Sequence, residues 1–307
     1  MLSLDEFKTS LTLPSPLIPF KPNWDGADKV LLYVKRDDAI HPVMSGNKWR
    51  KLSHVFTSSL PKAVVSFGGG FSNHLHALGF ACYQLGIPFT AIIRGDYSAA
   101  PSPMIKDLMQ WNSCIEYVNR VTYKKRGDSA YLNELKLRFP DAVIIPEGGS
   151  QALALRGMRD MVDEIEIDFD FIVTPVASGA TLAGIVSALN KRNGKVGTDF
   201  RSIHKAIGIG VLKGEGYLEG LVEQFLPAFQ YQTSWHIEHS YHFGGYAKAP
   251  SKLQTFCNEF NDAFEFDIEP VYSGKAFWAV KDMLAKGVFE DGSRIVILHT
   301  GGLQGAR

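Results

Sequence analysis

Lys48 closes a Gly-Asn turn in Gly46-Asn47-Lys48-Trp49-Arg50-Lys51-Leu52, at the start of a helical stretch. A cation at a helix N-terminus is electrostatically unfavourable. The same field helps to lower an amine pKa, which is mild evidence that the lysine has a purpose there. The plain alternative is that Lys48, Arg50 and Lys51 form a solvated basic face.

Three loops rich in Gly, Ser, Thr and Asn add further polar groups. The first runs Ser66-Phe67-Gly68-Gly69-Gly70-Phe71-Ser72-Asn73-His74 and ends at a helix start. Ser72 or Asn73 can cap that helix, but three consecutive glycines exceed what a cap needs and leave room for a bound group. A Ser/His hydrolase is disfavoured, because the G-x-S-x-G elbow is absent and neighbouring Ser72 and His74 make no triad by spacing alone. The second loop, Thr174-Pro175-Val176-Ala177-Ser178-Gly179-Ala180-Thr181, has the features of a phosphate cradle. Small residues let backbone N–H groups approach an anion, Ser178 and Thr181 add hydroxyls, and a helix N-terminus follows. It is neither a Walker loop nor a G-x-G-x-x-G fingerprint, and a tight turn without a ligand is the alternative. The third loop, Leu298-His299-Thr300-Gly301-Gly302-Leu303-Gln304-Gly305, stands near the end of the chain.

The elements that position these loops are legible as alternating strand and helix patterns. Strands are expected at 30–34, 63–67, 89–93, 114–118, 142–145, 171–174, 206–211 and 294–298. Most are continuous apolar runs, as in strands buried on both faces of a parallel sheet. Leu75, Leu78, Cys82 and Leu85 repeat at helical spacing, as do Leu253, Phe256, Cys257, Phe260 and Phe264. Ser102-Pro103 reads as an N-cap followed by proline at the first helical position. The pattern implies an α/β fold with helices on both faces of its sheets, and ligands at the carboxyl ends of the strands.

Composition bounds the partners. The 307 residues carry 32 Lys+Arg and 32 Asp+Glu, so there is no general attraction to nucleic acid or anionic lipid. Hydrophobic residues make up 45% and charged residues 21%, which excludes a largely disordered chain. Cys82, Cys114 and Cys257 are few and far apart, as in a reduced, cytoplasmic protein. Pro14, Pro16 and Pro19 break the N-terminal stretch, which lacks a secretory signal, and no apolar run reaches the length of a membrane span. His236, His239 and His242 are spaced by three and on a helix could face a zinc ion, but Glu238 is the one carboxylate near them and no metal is expected.

Taken together and in order, Gly46-Asn47-Lys48, the Gly-Gly-Gly-Phe-Ser-Asn-His run ending at His74, the Ser-Gly-x-Thr-x-Ala-Gly loop and Thr300-Gly301-Gly302 resemble the pyridoxal-phosphate enzymes of the tryptophan-synthase-β-like fold (fold type II). Within them the chain is similar to the D-cysteine desulfhydrase / 1-aminocyclopropane-1-carboxylate deaminase family, whose C-terminal signature Glu269-Pro270-Val271-Tyr272-Ser273-Gly274-Lys275 matches. The resemblance implies two open, mostly parallel sheets and a homodimer. It implies a large domain of residues 1–52 and 156–307 and a small domain of residues 53–155 inserted into it.

It also implies roles. Lys48 would form the Schiff base with pyridoxal 5'-phosphate and then act as the base at Cα. Ala177, Ser178, Gly179, Ala180 and Thr181 would hold the phosphate. Asn73 would bond the ring hydroxyl, and Ser72, Asn73, His74 and Ser273 would line the substrate site. Tyr272 would lie against the ring and Tyr246 near the substrate, either phenol moving a proton, unless they are simply core. The deaminase branch places Glu after the signature Tyr and Leu before the last Gly-Gly; Ser273 and Thr300 stand there instead, as in the desulfhydrase branch. A hydroxyl does not compel protonation of the pyridine nitrogen, and the weaker electron sink suits loss of thiolate from Cβ more than opening of a cyclopropane. Trp49, Ala180 and Phe71 depart from the family pattern and bear on substrate identity. A non-catalytic protein that binds pyridoxal phosphate or a nucleotide through the 177–181 loop is the further alternative.

Overall fold

The computed structural model describes residues 1–44, 46–193, 204–226 and 235–302. Ser45 and residues 303–305 of the third loop therefore lie outside the described residues. Each expected strand forms: β2 Leu31–Arg36, β3 Ala63–Gly69, β4 Phe89–Arg94, β5 Cys114–Val118, β6 Ala142–Ile145, β7 Phe171–Val176, β8 Lys205–Gly210 and β10 Arg294–His299. Two strands not expected from sequence join them, β1 Leu17–Phe20 and β9 Trp235–Glu238. The larger sheet has the order β1-β2-β10-β7-β8-β9 and is parallel except where β1 pairs with β2. The smaller has the order β5-β4-β3-β6, parallel throughout. All strands of the smaller sheet fall between residues 63 and 145, while the larger takes strands from both sides of that stretch.

The continuous apolar runs are explained by burial on both faces. In β10, Ile295 and Ile297 pack with Leu253, Phe256, Phe260 and Phe277, whereas Val296 and Leu298 pack on the opposite face with Met158, Leu182 and Val186. Burying one such side chain contributes about 1.5–3 kcal/mol. In the smaller sheet, Val64 and Ile93 share a cluster with Leu75, Leu78, Cys82 and Ile105, and Val65, Phe67 and Ile92 pack on the other face with Tyr131 and Leu135. The capping expectation at Ser102 holds: its Oγ accepts the Ile105 N–H at 3.3 Å, and Pro103 opens the helix.

Both unexpected strands are edges. Pro19 sits in β1 because an edge strand can leave one side without ladder hydrogen bonds. In β9, Ile237 is buried while His236 points outward, so the histidines follow a strand and then a turn. The helical spacing that could have aimed three of them at one ion does not arise. His239 instead pairs with Glu219 at 2.6 Å, and the described residues contain no cluster suited to a metal ion. No helix among the described residues is long and apolar enough to cross a membrane.

Candidate active site

Lys48 lies on a short helix, Asn47–Leu52, whose entry is locked to the third loop. Gly46 has φ +69°, and a Cβ there would fall 1.6 Å from the Thr300 carbonyl oxygen, so only glycine permits this approach. The Asn47 N–H then donates to that carbonyl at 3.0 Å. The Asn47 side chain reaches in two directions: its Oδ1 accepts from Lys48 Nζ, and its Nδ2 donates to Thr181 Oγ1 at 3.0 Å. One asparagine thus ties the lysine to the second loop. Loss of hydration brings the Lys48 amine down to about 8, partly opposed by the negative charge of Glu269. A useful fraction of free base is available near neutral pH.

The solvated basic face expected as the plain alternative for this helix is overturned, because Arg50 and Lys51 are each only 3% exposed. The Arg50 guanidinium donates to Asp37 Oδ1 at 2.9 Å, Glu164 Oε2 at 2.7 Å and Ser15 Oγ at 3.1 Å. Lys35 joins the same network through Glu164 at 2.6 Å. Removing one member of a buried ion network strands the others. Arg50→Met is expected to lower the unfolding free energy by about 3–5 kcal/mol in urea titrations. Lys62→Ala, which breaks the exposed Lys62–Asp141 pair, should cost less than about 1 kcal/mol. Equal losses in the two variants would remove the anchoring role of Arg50.

Lys51, one turn beyond Lys48, is the residue that sequence reasoning missed. Its Nζ donates to the Gly148 carbonyl and to Ser178 Oγ, both at 3.3 Å. It makes no ion pair among the described residues. Burial and the neighbouring Lys48 charge bring its amine down to about 7. Ser150 Oγ also donates to Ser178, at 2.8 Å. A fourth loop, Glu147-Gly148-Gly149-Ser150 after β6, therefore meets the second loop across Lys51. A Gly-Gly pair after a strand was the available signal for it. Together, a buried ammonium with no counter-ion among the described residues, the hydroxyls of Ser150, Ser178 and Thr181, and the N-terminus of the Ala180–Asn193 helix suit a phosphate dianion.

The first loop delivers Ser72 and Asn73 to the same region. Ser72 caps the Asn73–Leu85 helix, accepting the Leu75 N–H at 3.2 Å. Asn73 lies against Gly302, where a Cβ would come 2.7 Å from Asn73 Nδ2, so the first and third loops touch. His74 turns away from the role expected for it. Its Nε2 meets Ser66 Oγ at 2.8 Å, and Ser66 Oγ donates to the Ile145 carbonyl at 2.7 Å. Ser66 therefore accepts from His74, which fixes the N–H on Nε2 and leaves Nδ1 as a buried acceptor without a hydrogen-bond partner among the described residues. Burial and the charges of Lys48 and Lys51 push the ring down to about 3, so it stays neutral. An acceptor nitrogen cannot hold a carboxylate.

Tyr272 and Tyr246 meet, with their phenol oxygens 2.9 Å apart and rings at 69°. Tyr272 precedes the Ser273–Ala285 helix, and Glu269 holds that helix start by accepting the N–H groups of Val271, Tyr272 and Ser273 at 2.6, 2.7 and 3.0 Å. Burial and the Tyr246 phenol push the Tyr272 hydroxyl well above its ordinary range, so its proton stays on oxygen. Ser273 is buried, and its Oγ accepts the Glu269 N–H at 2.9 Å. It belongs to this cap rather than to a surface that a substrate can reach, against the sequence expectation.

A Pyrococcus horikoshii protein provisionally named as a 1-aminocyclopropane-1-carboxylate deaminase is 28% identical over 91% of this chain and 86% of its own. The mitochondrial bifunctional D-cysteine desulfhydrase/1-aminocyclopropane-1-carboxylate deaminase of Arabidopsis thaliana is 27% identical over 95% of this chain and 77% of its own. A solved structure described as an ACC deaminase homologue superposes with a TM-score of 0.77 at 25% identity, covering 97% of this chain and 92% of that one. The family model described as pyridoxal-phosphate dependent enzyme matches residues 9–301. With that match spanning nearly the whole sequence, and a buried ammonium among hydroxyls suited to a phosphate, this chain belongs to the pyridoxal-phosphate dependent enzyme family.

Proposed function

We propose that this chain catalyses β-elimination from a small amino acid, with D-cysteine as substrate and pyruvate, ammonia and hydrogen sulfide as products. The observation that carries the reading is the desolvated Lys48 amine at the junction of the Gly-rich loops, under the field of the same Glu269 that holds Tyr272. Lys51, Ser150, Ser178, Thr181 and the backbone of 177–181 would hold the cofactor phosphate. Asn73 would take the ring hydroxyl, and Tyr272 and Thr300 would contact the ring. Bound pyridoxal phosphate supplies an electron sink for the bond broken at the substrate Cα.

The chain's own groups do the rest. Lys48 Nζ, as free amine, takes the Cα proton. The Cβ–S bond breaks with its electron pair on sulfur, and the Tyr246–Tyr272 pair gives that sulfur a proton. Ser72 and Asn73 orient the substrate carboxylate. One water is consumed for each pyruvate, ammonia and sulfide released. The gathering of all strands of the smaller sheet between residues 63 and 145 supports the division into a large domain and an inserted small one.

The second reading is 1-aminocyclopropane-1-carboxylate deaminase, with 2-oxobutyrate and ammonia as products, and the names of the relatives favour it. The electron-sink argument favours D-cysteine: Ser273 is a hydroxyl tied to Glu269, and the Glu269 carboxylate is occupied by backbone N–H groups. The test is product analysis with the cofactor-loaded protein. D-cysteine is expected to give sulfide and pyruvate in equal amounts. Formation of 2-oxobutyrate from the cyclopropane amino acid with no sulfide from D-cysteine would reverse the order of the two readings.

A further inference from the structure

Lys275 is fully buried in the first turn of the Ser273–Ala285 helix, three residues after Tyr272. A cation is disfavoured there by the helix field as well as by burial. Its ammonium makes no ion pair among the described residues. Each of its three N–H groups instead has a backbone carbonyl: Val211 at 3.0 Å, His242 at 2.9 Å and Gly245 at 2.9 Å. Val211 directly follows β8, and His242 and Gly245 lie just before Tyr246. The segment between and beyond them is conformationally costly. Phe243, Gly244, Gly245 and Ala247 have φ of 54°, 96°, 131° and 54°, and two of these residues carry side chains. Such backbone persists only where its surroundings over-determine it. Converging carbonyls repel one another unless a positive charge sits among them.

We propose that Lys275 is a positioning residue: its ammonium acts as a built-in monovalent cation that shapes the 242–247 loop and so holds the Tyr246 phenol against Tyr272. This rests on the reading above that the tyrosine pair moves a proton in the reaction. Glu269 and Lys275 then divide one task within a single signature segment. The carboxylate gathers the N–H groups around Tyr272, and the ammonium gathers the carbonyls around Tyr246.

The test is Lys275→Ala in the cofactor-loaded protein, with choline as the only monovalent cation and then with potassium or ammonium added. Truncation leaves three carbonyl oxygens around a space that such an ion can enter. Amide hydrogen exchange at 242–247 is expected to accelerate at least about tenfold in choline. It should return toward the wild-type rate with potassium or ammonium. Turnover should follow, with kcat lowered about 10²-fold in choline, cofactor loading unchanged, and partial recovery with the added ion. Lys275→Met, which fills the space without charge, should be loosened in every salt. Wild-type exchange at 242–247 in either variant overturns the proposal, as does loosening in Lys275→Ala that neither ion reverses. Failure of both variants to fold also overturns it, because Lys275 would then serve the whole fold. A wild-type protein that turns over neither amino acid would sink the reaction assigned to the tyrosines, while exchange at 242–247 would still judge Lys275.

Discussion

Lys48→Ala is expected to abolish turnover, a loss on the order of 10⁴-fold or more, because in the proposed mechanism one amine serves as both nucleophile and base. It should also abolish covalent capture of the cofactor. Borohydride treatment of the wild-type protein, followed by peptide mass mapping, should place the pyridoxyl group on Lys48. Lys48→Arg keeps the charge but no nucleophilic amine at neutral pH, and should fail in the same way. The control that matters is Lys51, three residues along the same helix and also depressed in pKa. A label found on Lys51 in the wild-type protein would exchange the roles of the two lysines. Turnover surviving in Lys48→Ala would remove the proposed mechanism.

The second large effect concerns Lys51, and its sign depends on whether the cofactor is bound. On the proposed reading the ammonium would face a phosphate in the loaded protein, and losing one partner of a buried charge pair costs about 2–5 kcal/mol. Lys51→Met should therefore weaken pyridoxal phosphate binding by tens to thousands of fold, read from titration of the cofactor's absorbance. In the cofactor-free protein the same ammonium is buried without a counter-ion among the described residues. Its pKa is about 7 in the fold, against about 10.4 in an unfolded chain. Below pH 7 both states bind the proton, and the burial penalty is fully present. As pH rises from 7 toward 10 the folded protein sheds the proton first, so stability rises. Between pH 7 and 9 this group should add about 2 kcal/mol to the cofactor-free protein. Lys51→Met should flatten that slope and stabilise the free protein at pH 7. Saturating cofactor should flatten it too, because the phosphate raises the amine's pKa. An unchanged slope in Lys51→Met would show that this ammonium is hydrated.

Features carried by contiguous residues were legible in the sequence. Runs such as Ile295 to Leu298 announce a strand buried on both faces, because each face needs its own apolar side chains. The Ser72 and Ser102 caps are local, closed by N–H groups three residues on. Gly46-Asn47-Lys48 and the Gly-rich loops stand out because close backbone approach demands glycine, and Gly46 against Thr300 is such an approach. The two edge strands were not legible. β1 contains a proline that reads as a breaker, and β9 is too short, with one outward histidine, to look buried.

What only the tertiary structure decided was the fate of the polar groups. Sequence placed Lys48, Arg50 and Lys51 together as one possible exposed face, but Arg50 and Lys51 find partners far along the chain. Lys51 meets Gly148 and Ser178, 97 and 127 positions away, and Arg50 meets Glu164, 114 positions away. His74 and Ser273, adjacent to chemically suggestive residues, were drawn instead into hydrogen bonds with Ser66 and Glu269. Helix and strand patterns are set by near neighbours and therefore show in the sequence. Whether a lysine is solvated, paired or left charged and alone is set by which distant segments fold over it, and in this protein that decided the difference between a surface and a site.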